Sequence, residues 1–186
     1  MYKLPNIQDM FALLSQNGAV PDTLSVIDLA SAFNQLFLDE ESSLLLTINT
    51  RKGLFRSKRL CFGVKTATSQ FQCVMDSILS AIKSVMVRVD DILVATSGGV
   101  TPEMEVIKQV FGSLAKHNVK LNGLKCQFFQ TQVKYMGHIL SKEGISPVKS
   151  KLAAIRPAPR PTDVSQLRSL LLEVNQGFFI QNAPTS

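Results

Sequence analysis

Two adjacent aspartates, Asp90 and Asp91, stand between two runs of mainly aliphatic residues, Val85–Val89 and Ile92–Thr96. Such runs on either side of a short polar step predict a largely buried β-hairpin. Adjacent carboxylates repel each other, and partial burial makes each charge costly unless a cation or hydrogen-bond donors lie nearby. The residues alone therefore leave two interpretations: an ordinary polar turn, or a cation-binding site.

Asp28 repeats this pattern at the end of the apolar run Leu24–Ile27. If the two predicted strand regions are neighbours, the three carboxylates meet at one edge of the sheet. Two or three hard oxygen ligands at one point suit Mg²⁺ or Mn²⁺. From these residues alone, a polar turn and a cation-binding site remain equally weighted interpretations.

Hydrophobic periodicity predicts the remaining elements. Ser69 followed by Gln72 is typical of a capping box at a helix start, and the prolines after Gly144 favour a hinge. Predicted helices cover 5–16, 69–82, 102–116 and 163–174; predicted strands cover 24–27, 43–50, 54–60, 85–89, 92–96, 125–129, 133–136 and 138–140. This order predicts an α+β fold, with an antiparallel sheet and helices on one face.

Composition limits the class of protein. The 186 residues are 45% hydrophobic, which argues against intrinsic disorder. No apolar run reaches the roughly 18 residues of a membrane span, and no secretory signal is present. Three cysteines at 61, 73 and 126 form no CxxC pair, so we expect an intracellular protein, cytoplasmic or nuclear. The net charge of +6 indicates a polyanionic partner.

Five segments, in order along the chain, resemble the reverse transcriptases of gypsy-type long-terminal-repeat retrotransposons. Residues 87–94 (VRVDDILV) resemble the Tyr-x-Asp-Asp hairpin. Asp28 lies 62 positions before Asp90, in the segment that resembles the first acidic motif. The five segments are 25–35, 61–72, 87–94, 121–129 and 135–145. The end of the chain, from Leu167 to Asn175, is similar to the connection region of that lineage.

The resemblance implies a polymerase palm with partial fingers over residues 1–140 and the start of the thumb or connection region over 141–186. It implies an RNA-directed DNA polymerase from a retrotransposon Pol polyprotein, whose RNase H and integrase portions would be its partners. The implied ligands are an RNA or DNA template–primer, deoxynucleoside triphosphates and two Mg²⁺ ions, with Mn²⁺ as a substitute. Two metals suit this reaction because charge builds on both the attacking and the leaving oxygen.

The resemblance also assigns roles to individual residues. The carboxylates are the catalytic metal ligands, helped by the carbonyl of one neighbour: Asp28, Leu29, Asp90 and Asp91. Residues near the incoming nucleotide are Ala32, Phe33, Phe62 and Gly63, and those near the primer or template are Arg56, Lys58, Arg59, Arg88, Met136 and Gly137. Alternatives stay open for some of these residues. Phe33 could be an ordinary core aromatic and Met136 a packing residue, and the basic residues Arg56, Lys58 and Arg59 could belong to a solvated hairpin.

Three departures from the family bear on activity. Arg88 replaces the usual aromatic; on a strand it shares a face with Asp90, where it would compete with Mg²⁺ or contact a primer phosphate. Cys61 and Thr68 replace prolines. No segment stands for the upstream strands of the fingers. We therefore expect weak or no activity from this chain. The alternatives are a non-catalytic relic that binds nucleic acid or protein, and a chain that does not fold stably alone.

Overall fold

A computed structural model describes residues 20–148 together with Tyr2, Leu4–Asn6, Asp9, Ala12 and Gln166. The chain divides into two compact units, Met1–Thr131 and Gln132–Ser186. The helices predicted over 5–16 and 163–174 fall almost entirely outside the described residues. The predicted domain boundary after residue 140 stays a prediction.

The first unit contains a four-stranded antiparallel sheet in the order β4-β5-β1-β6. Its central strands β1 and β5 are rich in branched aliphatic residues, which suit a pleated buried surface. The strands are β1 (Thr23–Asp28), β4 (Val85–Arg88), β5 (Asp91–Thr96) and β6 (Gln127–Gln130).

Two helices, α2 (Ala67–Leu79) and α3 (Val100–Lys116), pack with this sheet around a single core. Their apolar residues recur at steps of three and four, so one stripe of each helix is buried. The core includes Ile27, Phe71, Met75, Val87, Ile92, Val94, Ile107 and Val110. The predicted α+β class with an antiparallel sheet is confirmed.

The strand predicted over 43–50 is wrong in its first half. A short helix, α1 (Glu40–Leu45), precedes β2 (Thr47–Thr50), which pairs with β3 (Gly53–Arg56) as a separate two-stranded sheet. The Asp39 carboxylate caps this helix by accepting a hydrogen bond from the Ser42 amide at 2.7 Å. The cap and the acidic first turn therefore outweigh the strand preference of the residues that follow.

The capping box predicted at Ser69 is also wrong. The helix begins two residues earlier, at Ala67, and the Ser69 hydroxyl donates to the Thr66 carbonyl instead, at 2.9 Å. Gln72 is then free of the helix end and is completely buried. Its amide points to the β4–β5 turn.

The second unit contains a three-stranded antiparallel sheet in the order β7-β8-β9. Its strands are β7 (Gln132–Tyr135), β8 (His138–Ser141) and β9 (Gly144–Pro147). The first residues of the hinge predicted after Gly144 thus form a strand, whereas its prolines at 157, 159 and 161 lie outside the described residues. Gly144 itself, with a φ of 113°, supports the tight turn before it. Among the described helices of both units, none is long and apolar enough to cross a membrane.

Candidate active site

The first and third acidic residues of the predicted site face each other across the central strands. Asp28 ends β1, Asp91 begins β5, and the two are direct partners in the antiparallel register. Both side chains are half-buried, whereas Asp90 lies in the two-residue turn before β5 and is exposed. The strand register therefore places the backbones of these three residues at one edge of the sheet.

Backbone hydrogen bonds fix this edge. The Leu29 amide donates to the Asp90 carbonyl at 2.9 Å, which joins the end of β1 to the turn. The Asp28 carbonyl accepts from the Asn122 amide at 2.9 Å, and the Asp28 amide donates to the Cys126 sulfur at 3.4 Å. The Cys126 sulfur thus contacts the backbone of a candidate catalytic residue.

Electrostatics at this edge disfavour the charged carboxylates. Burial, followed by repulsion from Asp90 and Asp28, raises the pKa of Asp91 to about 6, although Arg88 and Lys125 oppose this shift. Burial also raises the pKa of Asp28, against the attraction of Lys125 and with help from Asp90. Because the pKa values of Asp28 and Asp91 are both raised by burial and by neighbouring negative charge, a bound cation would stabilise their ionised forms.

A buried glutamine braces the turn that carries Asp90. The Gln72 side-chain nitrogen donates to the Val87 carbonyl at 2.9 Å, and its oxygen accepts from the Val89 amide at 2.7 Å. Val89 has a φ of 55°, which a β-branched residue rarely adopts. The sequence alone does not indicate this role of Gln72, because a glutamine three residues after a serine has a simpler explanation at a helix start. Its place within an otherwise apolar helix stripe was the available signal.

The position expected for Arg88 needs a correction. Because Asp90 belongs to the turn, the alternation of a strand does not extend to it, and Arg88 instead pairs in register with Asp91. The Arg88 Nε is buried and has no hydrogen-bond partner within the described residues. The guanidinium still acts on Asp91 through its charge. Arg88 is therefore a cation built into the edge of the acidic site.

The donor types at this edge fit a divalent cation: carboxylate oxygens from three residues, with a backbone carbonyl nearby. In the described part of the chain, however, no three side chains of ligand type are grouped closely enough to hold one ion. What the structure shows is the backbone arrangement: Asp28 and Asp91 are direct partners in the strand register, and Asp90 lies in the adjoining turn.

The candidate nucleotide-contacting residues separate into two kinds. Phe33 and Phe62 meet edge to face, with ring centroids 5.0 Å apart, and Phe33 also contacts the core residue Phe71 at 5.5 Å. Phe33 is only half-buried, so packing on the core and contact with a ligand are compatible. The Ala32 methyl is buried, which leaves its backbone for any such contact. Gly63 is exposed with a φ of 88°.

The residues expected near the primer or template lie in both units. Arg56, Lys58 and Arg59 are exposed at the end of β3 and just after it, in the first unit. Met136 and Gly137 form the two-residue turn between β7 and β8 in the second unit, with φ values of 48° and 71°. Left-handed values at both turn positions match the twist of a tight hairpin.

Comparison with known proteins places the chain. Residues 1–140 match the family model described as reverse transcriptase (RNA-dependent DNA polymerase). The chain is 35% identical over 170 residues to an uncharacterized protein of Caenorhabditis elegans, covering 91% of this chain and 13% of that protein. It is 33% identical over 172 residues to the retrovirus-related Pol polyprotein from transposon 297 of Drosophila melanogaster, covering 91% and 16%. The chain thus spans a small part of these relatives.

A solved structure of the foamy viral protease-reverse transcriptase in complex with dsDNA shares the fold. It aligns with 98% of this chain and 37% of its own chain, at a TM-score of 0.74 and 20% sequence identity. The expected polymerase palm fold is therefore confirmed. Together with the family match over residues 1–140, this shows that the chain belongs to the reverse transcriptase (RNA-dependent DNA polymerase) family.

Proposed function

We propose that this chain is the palm, with part of the fingers, of an RNA-directed DNA polymerase that acts within a retrotransposon Pol polyprotein. The observation that carries the proposal is the strand register that sets Asp28 opposite Asp91, with Asp90 in the adjoining turn. Carboxylates raised in pKa by burial and by one another favour a cation at this edge.

The proposed reaction is nucleotidyl transfer. The primer 3′-oxygen attacks the α-phosphorus of a deoxynucleoside triphosphate, its proton is lost, and the bond from that phosphorus to the bridging oxygen of pyrophosphate breaks. Two Mg²⁺ ions, or Mn²⁺ in their place, would stabilise the charge on the attacking and leaving oxygens. The part of this chain is to hold those ions through Asp28, Asp90 and Asp91, with the Leu29 carbonyl as an additional oxygen.

The edge-to-face pair of Phe33 and Phe62 supports a role in nucleotide selection. Phe33 is held by Phe62 on one side and by Phe71 on another, so its ring cannot easily move away from a ribose 2′-hydroxyl. A fixed ring at this place would favour deoxynucleotides by steric exclusion. Ala32 would contribute through its backbone, and the exposed Gly63 would allow close approach of a ligand.

Strand binding is proposed for both units. The exposed Arg56, Lys58 and Arg59 would neutralise phosphates of an RNA or DNA template–primer, and the turn at Met136 and Gly137 would contact the primer. The foamy viral relative is described in complex with dsDNA. Because the Pol polyprotein from transposon 297 is much longer than this chain, RNase H and integrase portions are proposed partners of this chain.

The test is primer extension on an RNA template with Mg²⁺ and, separately, with Mn²⁺. The wild-type chain is compared with Asp90→Asn/Asp91→Asn and with Glu105→Gln, which removes an exposed carboxylate on α3. Circular dichroism first establishes that all three fold. Weak extension by the wild type and by Glu105→Gln, lost in the double variant, is the expected result.

A second candidate function, a non-catalytic relic that binds nucleic acid, is favoured by one observation: the described carboxylates are not grouped around a single point. A folded wild-type chain that binds template–primer but extends no primer with either metal would overturn the polymerase proposal and support the relic.

A further inference from the structure

One exposed aromatic side chain of the first unit is stacked in an unusual way. Phe37 has 74% of its surface exposed, the highest value for an aromatic residue in the described part of the chain. The guanidinium carbon of Arg59 lies 3.5 Å from the centre of its ring. The guanidinium therefore covers one face of the ring, and together the two planes form a flat exposed step, here called the Phe37–Arg59 platform.

Hydrogen bonds hold this platform in place. Phe37 and Arg59 are antiparallel bridge partners in the backbone. The Leu38 amide donates to the Lys58 carbonyl at 3.1 Å, and the Leu60 amide donates to the Leu36 carbonyl at 3.0 Å. The Arg59 Nη1 also donates to the Gln35 carbonyl at 3.1 Å. Because these hydrogen bonds already order the platform, a stacking ligand would bind with a smaller loss of side-chain conformational entropy.

The platform is connected by hydrogen bonds to the segment that follows the acidic site. Gln35 ends the 3₁₀ turn Ala32–Gln35, which begins four residues after Asp28. The Gln35 side chain donates to the Lys120 carbonyl at 2.9 Å and accepts from the Lys120 amide at 2.6 Å. The carbonyl of the same residue accepts the Arg59 hydrogen bond.

The charge around the platform favours a polyanion. No acidic residue lies between Ser42 and Met75, whereas six basic residues do: Arg51, Lys52, Arg56, Lys58, Arg59 and Lys65. Acids precede this stretch at Asp39, Glu40 and Glu41. Even so, within the described residues Arg59 forms no ion pair with a carboxylate, since the pair found there joins Lys108 to Glu105.

We propose that the Phe37–Arg59 platform binds an unpaired nucleobase of a single-stranded nucleic acid, the part of a template not yet copied. The base would stack on the exposed ring and guanidinium planes, and the neighbouring basic side chains would meet the phosphates on either side. Aromatic and arginine planes stack any base with little sequence preference. This inference rests on the proposed function for the identity of the strand, but not for the stacking itself.

The experiment measures binding to labelled duplexes with 2-aminopurine at the first unpaired position of a 5′ template overhang, and to blunt duplexes of the same length. The variants are Phe37→Ala, Phe37→Trp and Arg59→Lys in the full chain. The control is Phe55→Ala, because Phe55 is an exposed aromatic on the neighbouring hairpin and no arginine from the described part of the chain lies over its ring. Overhangs of RNA and of DNA form separate arms.

Phe37→Ala is expected to weaken binding to the overhang about tenfold and to reduce quenching of 2-aminopurine, in both arms. Phe37→Trp should retain both signals. Arg59→Lys should reduce quenching while the dependence of binding on salt stays the same, because the charge is kept and the plane is lost. Phe37→Ala and Arg59→Lys should bind blunt duplexes as the wild type does. Phe55→Ala should match the wild type with both kinds of duplex.

Two results would overturn the platform: unchanged binding and quenching by Phe37→Ala, or an equal loss with blunt duplexes or with Phe55→Ala. Since this assay needs no nucleotide addition, its outcome is independent of primer extension. If the chain extends primers but Phe37→Ala changes neither overhang binding nor 2-aminopurine quenching, only the platform proposal is refuted. A chain that quenches 2-aminopurine but extends nothing would refute the polymerase proposal alone.

Discussion

Arg88 is the direct cross-strand partner of Asp91 in the β4–β5 hairpin. A permanent positive charge thus sits at the edge of a site whose proposed ligand is a divalent cation. The attraction between Arg88 and Asp91 opposes the rise in the pKa of that carboxylate. The same charge would repel a metal ion that Asp91 binds.

Replacing this arginine should therefore strengthen metal binding. We expect Arg88→Tyr to raise the affinity for Mn²⁺ about tenfold, the effect of one charge several ångströms from a divalent ion. Electron paramagnetic resonance of free Mn²⁺ measures the affinity without any need for activity. Arg88→Lys, which keeps the charge, is the matched control. If Tyr and Lys variants bind Mn²⁺ equally, Arg88 does not compete with the metal, and contact with a primer phosphate becomes the better explanation.

Loss of the Gln72 brace should destabilise the turn that carries Asp90. Gln72→Met fills the same space but leaves the Val89 amide and the Val87 carbonyl without their side-chain partner. We expect a loss of about 3 kcal/mol in the free energy of unfolding, measured with urea. Gln70→Met, at an exposed position of the same helix, should change it little. A similar small change for both variants would contradict the bracing role.

The ionised Asp91 carboxylate should destabilise the folded chain when no metal is bound. Its pKa rises from 3.8 to about 6 on folding, so the folded state keeps a proton that the unfolded state releases. Stability from this group is complete below pH 3.8 and is lost as pH rises to about 6. With EDTA at pH 8, Asp91→Asn should therefore be more stable than the wild type by up to about 3 kcal/mol. Equal or lower stability in urea titrations at pH 8 would refute the shift.

A second buried acid predicts a pH effect away from the site. Glu103 on α3 is fully buried, and its Oε2 accepts a hydrogen bond from the Thr96 hydroxyl at 2.5 Å. Burial raises its pKa above 4.5, although hydrogen bonds from Thr96 and Ser25 oppose this. The contribution of this group to stability is therefore lost as pH rises from 4.5 through the raised pKa.

Glu103→Gln should remove that loss. Its melting temperature relative to the wild type should increase with pH from 4.5 upwards, as differential scanning fluorimetry would show. Glu105→Gln, at an exposed site on the same helix, should track the wild type throughout. A constant difference between Glu103→Gln and the wild type at every pH would contradict burial of the charged form as the cause.

The basic residues after β3 should determine the salt dependence of binding. Neutralising Arg56, Lys58 and Arg59 together should reduce the slope of log affinity against log salt by up to about three, one for each released counterion. Fluorescence anisotropy with a primer–template duplex, over about 50 to 300 mM salt, measures this slope. An unchanged slope would mean that these side chains form only a solvated hairpin.

The sequence by itself determined the family resemblance, the α+β class and the carboxylates of the site. Asp28, Asp90 and Asp91 were identifiable because charges next to apolar strands need a physical reason. Their order along the chain, amid the other matching segments, then indicated the polymerase. Local hydrophobic patterns were enough for the central strands and for α2 and α3, because burial on one face of an element imposes its period on the sequence.

Only the tertiary structure decided which residues support that site. Gln72 and Cys126 reach the hairpin and Asp28 from distant positions, and no local pattern records a hydrogen bond to a partner far along the chain. The partner of Arg88 also depended on where the turn begins, since a single residue of the turn moves Asp90 off the strand face. Likewise, Phe37 and Arg59 stack because two separate segments form a backbone bridge. Contacts of this kind are set by chain topology, which local periodicity does not encode.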